Sequence, residues 1–252
     1  MSTHHFRHHP VNERGHVKSR PPPKYPAAMD DPTPEADTRT HADTRARTAA
    51  HAHTHTHAHE LAETRAFFAE RAAGWDAKFP DDGPRYAAAI AETGLAAGQF
   101  AIDAGCGTGR ALPLLRAAVG PSGTVLGVDL TPEMLAQAAA HRADAALVRA
   151  DCTRLPLPDA AADLVFGAGL ISHLPGPDAG LRELARVTRP GGRLALYHPV
   201  GRAALAARHG RPITPDDLRA RDNLFPRLTA AGWKPLSYTD EPERFLVLAE
   251  RA

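Results

Sequence analysis

The chain has 252 residues, 43% of them hydrophobic, which is enough for the core of one large α/β domain or two small ones. Its formal charge of +1 gives no global reason to expect nucleic acid or an acidic polymer as partner, and no stretch approaches the roughly 20 apolar residues that span a bilayer. Two cysteines, Cys106 and Cys152, are too few for a disulfide framework or a cysteine zinc site, and the absence of an apolar leader points to the cytoplasm.

Residues 1–60 are rich in Pro, Thr and Ala, hold 11 of the 15 histidines and show no apolar period, so they are expected to form a disordered tail. The tract from His51 to His59 has alternate histidines, but no carboxylate or folded frame orients the rings, and no metal site is assigned to it. From Leu61 the pattern turns helical: Leu61, Phe68, Ala72, Trp75 and Phe79 recur at helical spacing, and Asp81-Asp82-Gly83-Pro84 ends one helix and starts the next. Residues 61–97 are thus expected to be a helical cover that precedes a domain over 98–252.

In that domain strand-like runs alternate with helical ones: Phe100 to Asp103, Thr124 to Asp129, Ala146 to Ala150, Asp163 to Gly167 and Arg193 to His198. Alternation of this kind predicts a mostly parallel sheet with helices on both faces. Trp233 to Tyr238 and Phe245 to Ala249, joined by a short acidic loop with a proline, predict an antiparallel hairpin at one sheet edge. Pro190 with Gly191 and Gly192 is expected to close a helix and turn the chain into the fifth strand.

"DAGCGTGR", residues 103–110, is the most informative stretch. A dinucleotide fingerprint needs G-x-G-x-x-G; here Gly105 and Gly107 fit, Arg110 stands in the third place, and the last glycine comes one residue early at Gly109. No Gly-Lys-Ser/Thr follows, so the turn is not a P-loop. Asp103, just before the glycines, would repel a pyrophosphate and hold an ammonium group. That suits S-adenosylmethionine, whose methionyl end carries an ammonium, a carboxylate and a positive sulfur. Asp129 ends the second strand, where a carboxylate accepts ribose hydroxyls, and Asp151 follows the third, placed for an adenine amine.

Taken together, "FAIDAGCGTGR", "VLGVDLTPEML", "RADCTRLPLPDAAADLVFGAGLISHL" and "LRELARVTRPGGRLALYHP" resemble, in order, the motifs of class I S-adenosylmethionine-dependent methyltransferases, over residues of about 62 to 250. The resemblance implies a Rossmann-like seven-stranded sheet with an antiparallel last strand. It implies that Gly105, Cys106, Gly107 and Gly109 line the methionyl end and Asp129 the ribose. Asp151 and Cys152 would line the adenine, Leu130 and Met134 would pack on the adenosine, and Gly167 would belong to the same site. "FFAERAAGWDAKF" resembles the N-terminal cover of quinone-type and natural-product methyltransferases, which would set Trp75 and Phe79 against an acceptor.

His173 and His198 follow the fourth and fifth strands, where the acceptor of an open α/β sheet binds, and are the candidate bases. After the fourth strand the chain reads Phe166-Gly-Ala-Gly169 in place of the Asn/Asp-Pro-Pro-aromatic signature of amine methylation, which favours a small-molecule acceptor. An NAD(P)-dependent oxidoreductase and a non-catalytic S-adenosylmethionine-binding protein stand as alternatives, and the sequence is silent on oligomeric state.

Overall fold

The computed structural model describes residues 57–78, 82–141 and 144–252. The chain divides into Met1–Arg45 and Ala46–Ala252, and the elements below all lie in the second unit.

The strands are β1 (Phe100–Ala104), β2 (Thr124–Asp129), β3 (Ala146–Arg149), β4 (Ala162–Ala168), β5 (Thr188–His198), β6 (Trp233–Glu241) and β7 (Arg244–Arg251). They form one seven-stranded sheet in the order β3-β2-β1-β4-β5-β7-β6. The first five pair in parallel, and β7 runs antiparallel to both β5 and β6. The predicted architecture and the terminal hairpin are both present. The central strands are apolar on both faces because both are covered: Ile102, Val128, Val165 and Leu194 point into one core, Ala101, Leu164, Phe166 and Tyr197 into the other.

The helices are α1 (residues 57–69), α2 (Gly83–Glu92), α3 (Leu112–Val119), α4 (Pro132–Ala140), α5 (Pro177–Val187), α6 (Arg202–Arg208) and α7 (Arg221–Ala230). No helix among the described residues is long and apolar enough to cross a membrane. Several open on proline, in keeping with its fixed φ and missing N–H: Pro84, Pro113, Pro132 and Pro177 stand at or next to the first helical position.

Two boundaries differ from expectation. Residues 57–60, assigned to the tail by composition, are helical and continue into α1. Residues 1–56 lie outside the described residues. Pro190-Gly191-Gly192 falls inside β5, which already starts at Thr188. A side chain at Gly192 would press on the carbonyl oxygens of Arg189 and Asp163, at 2.9 and 3.0 Å, and the β4 register shifts between Ala162 and Leu164. The glycines therefore accommodate an irregularity in the strand.

Strand order reverses between β1 and β4, whose neighbours lead the chain in opposite directions. The crevice beyond the carboxyl ends of these strands is where an open α/β sheet takes its ligand. Asp103, Asp129, Asp151, His173 and His198 all lie at that end.

Candidate cofactor and acceptor site

The glycine turn leaves β1 and enters α3. Gly105, Gly107 and Gly109 have φ of +67°, +55° and +85°, a region other residues rarely adopt. A β-carbon on Gly109 would lie 3.0 Å from both Ala138 Cβ and Leu112 Cδ1, so this glycine lets α4 and α3 close on the turn. A β-carbon on Gly107 would meet nothing within 4 Å. There the bare backbone faces open space.

Asp129 closes that turn from β2. Its Oδ2 accepts the Gly107 N–H at 2.9 Å and its Oδ1 the Thr131 N–H at 2.8 Å. Burial raises its pKa, and these N–H donors work against the rise. Asp103 is 1% exposed and accepts no hydrogen bond from any described residue. Burial, and then the neighbouring charge of Asp129, push its pKa up to about 8. A buried acid without a donor among the described residues, beside open glycine backbone, fits a ligand cation such as an ammonium group.

Asp151 stands beyond β3, half-buried. Oδ1 accepts the Thr153 N–H at 2.8 Å; Oδ2 accepts the Thr153 hydroxyl at 2.7 Å and lies 3.0 Å from His57 Nε2. The other residues expected at the cofactor divide. Leu130 is half-buried and open to a ligand. Met134 is 1% exposed with protein alone around it, so it is a core residue with no surface left for the adenosine. A β-carbon on Gly167 would lie 3.0 Å from Leu170 Cδ2, so its missing side chain admits Leu170.

Both cysteines are free and buried. Cys106 donates its N–H to the Val128 carbonyl at 2.9 Å and packs against Gly127. Burial drives its thiol pKa up, and it raises that of Cys152 to about 12, opposed in part by the Gly105 N–H directed at the Cys152 sulfur. Neither is a thiolate near neutral pH.

Sequence reasoning missed the clamp from the helical cover. Thr108 Oγ1 donates to Asp76 at 2.6 Å, and Arg110 pairs with Asp82 at 3.3 Å while its guanidinium stands 5.3 Å from the Tyr86 ring centre. Arg110, noted only as the residue in place of the third glycine, thus ties α2 to the turn. Asp82 beside Gly83-Pro84 carried a signal for the start of a helix, and its side chain makes no capping bond there because it reaches for Arg110.

On the acceptor side, His173 ends a turn of 3-10 helix, Leu170–His173, beyond β4. Its ring meets Phe68 of α1 edge to face with centroids 5.0 Å apart, and Phe68 meets Trp75 at 5.5 Å. Glu63, Thr64, Phe67, Phe68 and His173 line a hollow of about 330 Å³. Burial lowers the His173 pKa, helped by the positive charge of Arg219. His198 behaves differently: its Nδ1 lies 3.1 Å from the Val200 nitrogen and 2.8 Å from the Val200 oxygen, so that nitrogen is committed to backbone. Burial lowers the His198 pKa, with the Val200 bond opposing the shift and Arg219 adding to it. Trp75 supports Phe68 behind the hollow and is absent from its lining, and Phe79 lies outside the described residues.

A larger hollow, about 480 Å³, lies around Thr188 and Pro190 at the start of β5, the end of the sheet away from these residues. Its Arg186 and Arg251 spend their donors on Glu183, Asp159 and backbone carbonyls.

Residues 102–196 match the family model of the methyltransferase domain, and the seven-stranded fold is like that of solved S-adenosylmethionine-dependent methyltransferases. A trans-aconitate 2-methyltransferase from Methylobacterium nodulans is 39% identical over 132 residues, 50% of this chain and 50% of that one. A 27-O-demethylrifamycin SV methyltransferase from Amycolatopsis mediterranei is 37% identical over 108 residues, 40% of this chain and 39% of that one. The chain thus spans half or less of these curated relatives. Among solved structures, an S-adenosylmethionine-dependent methyltransferase from Aquifex aeolicus superposes with a TM-score of 0.56 at 26% identity, covering 66% of this chain and 89% of that one.

Proposed function

We propose that the protein is an enzyme that methylates a small, largely apolar molecule bound between α1 and the turn after β4. The observation that carries the reading is Asp103, a buried acid with no donor among the described residues, beside the open backbone of Gly107. A dinucleotide would bring a pyrophosphate to that acid; the methionyl end brings a cation.

When bound, S-adenosylmethionine supplies a methyl group on a positively charged sulfur. Asp103 would hold the ammonium, Gly107 would let the ligand approach, Asp129 would take the ribose hydroxyls and Asp151 the adenine amine, with Leu130 packing on the adenosine. Cys152 contributes backbone there, since its thiol is buried and protonated. Phe67 and Phe68 would bound the acceptor and exclude water, which is most of what an enzyme must add to a displacement at an already activated carbon. His173 is the better placed base: it lines the hollow, and its lowered pKa keeps the ring neutral and able to take a proton at pH 7. The two relatives are named for trans-aconitate and 27-O-demethylrifamycin SV, which agrees with a small-molecule acceptor. Two unbonded cysteines suit a reducing cytoplasm.

The test has two parts. Calorimetry against S-adenosylhomocysteine and NADPH should show binding of the first alone; binding of NADPH alone would establish the oxidoreductase alternative. Incubation with a metabolite extract and S-adenosylmethionine radiolabelled at the methyl should move label into an extractable small molecule, whereas binding without label transfer would leave a non-catalytic binding protein.

A further inference from the structure

Among the described residues of the histidine tract, His57 reaches the site. His57, on the first described turn of α1, places Nε2 3.0 Å from Asp151 Oδ2 and 3.4 Å from Thr153 Oγ1. The pair is only partly open to water, with side-chain exposures of 33% for His57 and 19% for Asp151. Eleven residues on, Phe68 of the same helix rests on His173. A helix rises about 16 Å over that interval. In the sheet, β2 and β1 lie between β3 and β4, so α1 is tied at its start to the loop after β3 and further along to the turn after β4. It bridges the carboxyl ends of the strands that carry Asp129 and Asp103.

The chemistry of Asp151 is restrictive. A carboxylate offers about four acceptor positions. The Thr153 N–H takes one on Oδ1, and the Thr153 hydroxyl and His57 Nε2 take two on Oδ2. The position left is on Oδ1, and only a donor can use it. Thr153 cannot fix that position against the rest of the molecule, because it sits two residues from Asp151 on the same loop. His57 comes from another element and can.

We propose that His57 is a positioning residue of the adenine subsite: it holds Asp151 so that its remaining lone pair meets an exocyclic amine, and through α1 it links that subsite to the acceptor hollow. The inference rests on the reading of Asp151 as the adenine contact. Its consequence is selectivity for an amine over a carbonyl at that edge of the purine.

Calorimetry of wild type, His57→Ala, His57→Gln and Asp151→Ala with S-adenosylhomocysteine and with S-inosylhomocysteine, which has a carbonyl where adenine has its amine, tests this. Wild type should prefer the adenine ligand by about tenfold or more, and Asp151→Ala should lose the preference. His57→Ala should lower the preference by about fivefold, and His57→Gln, whose amide can donate to Asp151, should restore most of it. A mere loosening of α1 would weaken both ligands alike and leave their ratio unchanged, so an unchanged ratio in His57→Ala overturns the proposal. Tighter binding of S-adenosylhomocysteine by His57→Ala also overturns it, since His57 would then compete with the adenine. Wild type that binds neither ligand overturns the cofactor reading and this inference with it; wild type that binds both equally overturns the reading of Asp151 as the adenine contact, and this inference, while the cofactor reading stands.

Discussion

Asp103 makes the stability of the free protein dependent on pH. The folded pKa of about 8 lies above the ordinary 3.8, so the folded state binds the proton more tightly than the unfolded state. The stabilisation this contributes is complete below about 4 and is lost as pH rises through about 8. A ligand ammonium beside the carboxylate reverses the preference and draws the pKa down. At pH 7 the uptake of S-adenosylhomocysteine should therefore release close to one proton, seen as a binding enthalpy that varies with the ionisation enthalpy of the buffer. Asp103→Asn should bind more weakly and with no such variation; proton release that persists in Asp103→Asn would assign the effect to another group. This residue was legible in the sequence because its meaning is local: an acid, three glycines and the end of a strand fall within seven positions. His57, Asp76 and Asp82 were not, because their partners are 94, 32 and 28 residues away and no periodicity encodes such a pairing.

Elements were legible where burial imposes a period, and misread where a local signal has two uses. The central strands followed from apolar runs because strands covered on both faces must be apolar throughout. Proline with two glycines reads equally as a turn or as an irregularity in a strand, and only the carbonyls of Arg189 and Asp163 around Gly192 decide between them. The joint between α6 and the β6–β7 hairpin gave no signal at all. Gly201 lies just before α6, and a β-carbon there would collide with the carbonyl oxygen of Glu241 and crowd the Asp240 side chain. Asp240 also accepts the Arg202 N–H at 2.8 Å, so the contact cannot relax without losing that bond. Gly201→Ala should cost about 1–3 kcal/mol in denaturant unfolding, the usual penalty of overpacking against atoms that cannot move. Gly74→Ala, with nothing within 4 Å, is the control and should lie within about 0.5 kcal/mol of wild type. Equal losses in the two variants would show that the joint yields.

Across the molecule, the two sides of the site are governed by burial in opposite directions. Burial raises Asp103 and lowers His173, so both favour their neutral forms near pH 7. The formal charge of +1 for the chain hides this arrangement, since composition records how many charges there are and not which are suppressed. Arg219 lies between α6 and α7; held by Asp217 at 3.4 Å, it contributes to the lowering of both His173 and His198. With cofactor saturating, Asp103 is already engaged, and the acid limb of kcat/KM for the acceptor should report His173 and lie below the 6.5 of an ordinary histidine. His173→Gln should abolish the limb and lower the rate by about 10²-fold or more for an acceptor that must lose a proton. Arg219→Gln removes a positive charge that disfavours the imidazolium; the pKa then rises, and the limb should move toward 6.5, costing activity at mildly acid pH while sparing it at pH 8. A limb that persists in His173→Gln would make another group the base, and Nε2 of His198, the ring nitrogen not bound to Val200, would be the next to test.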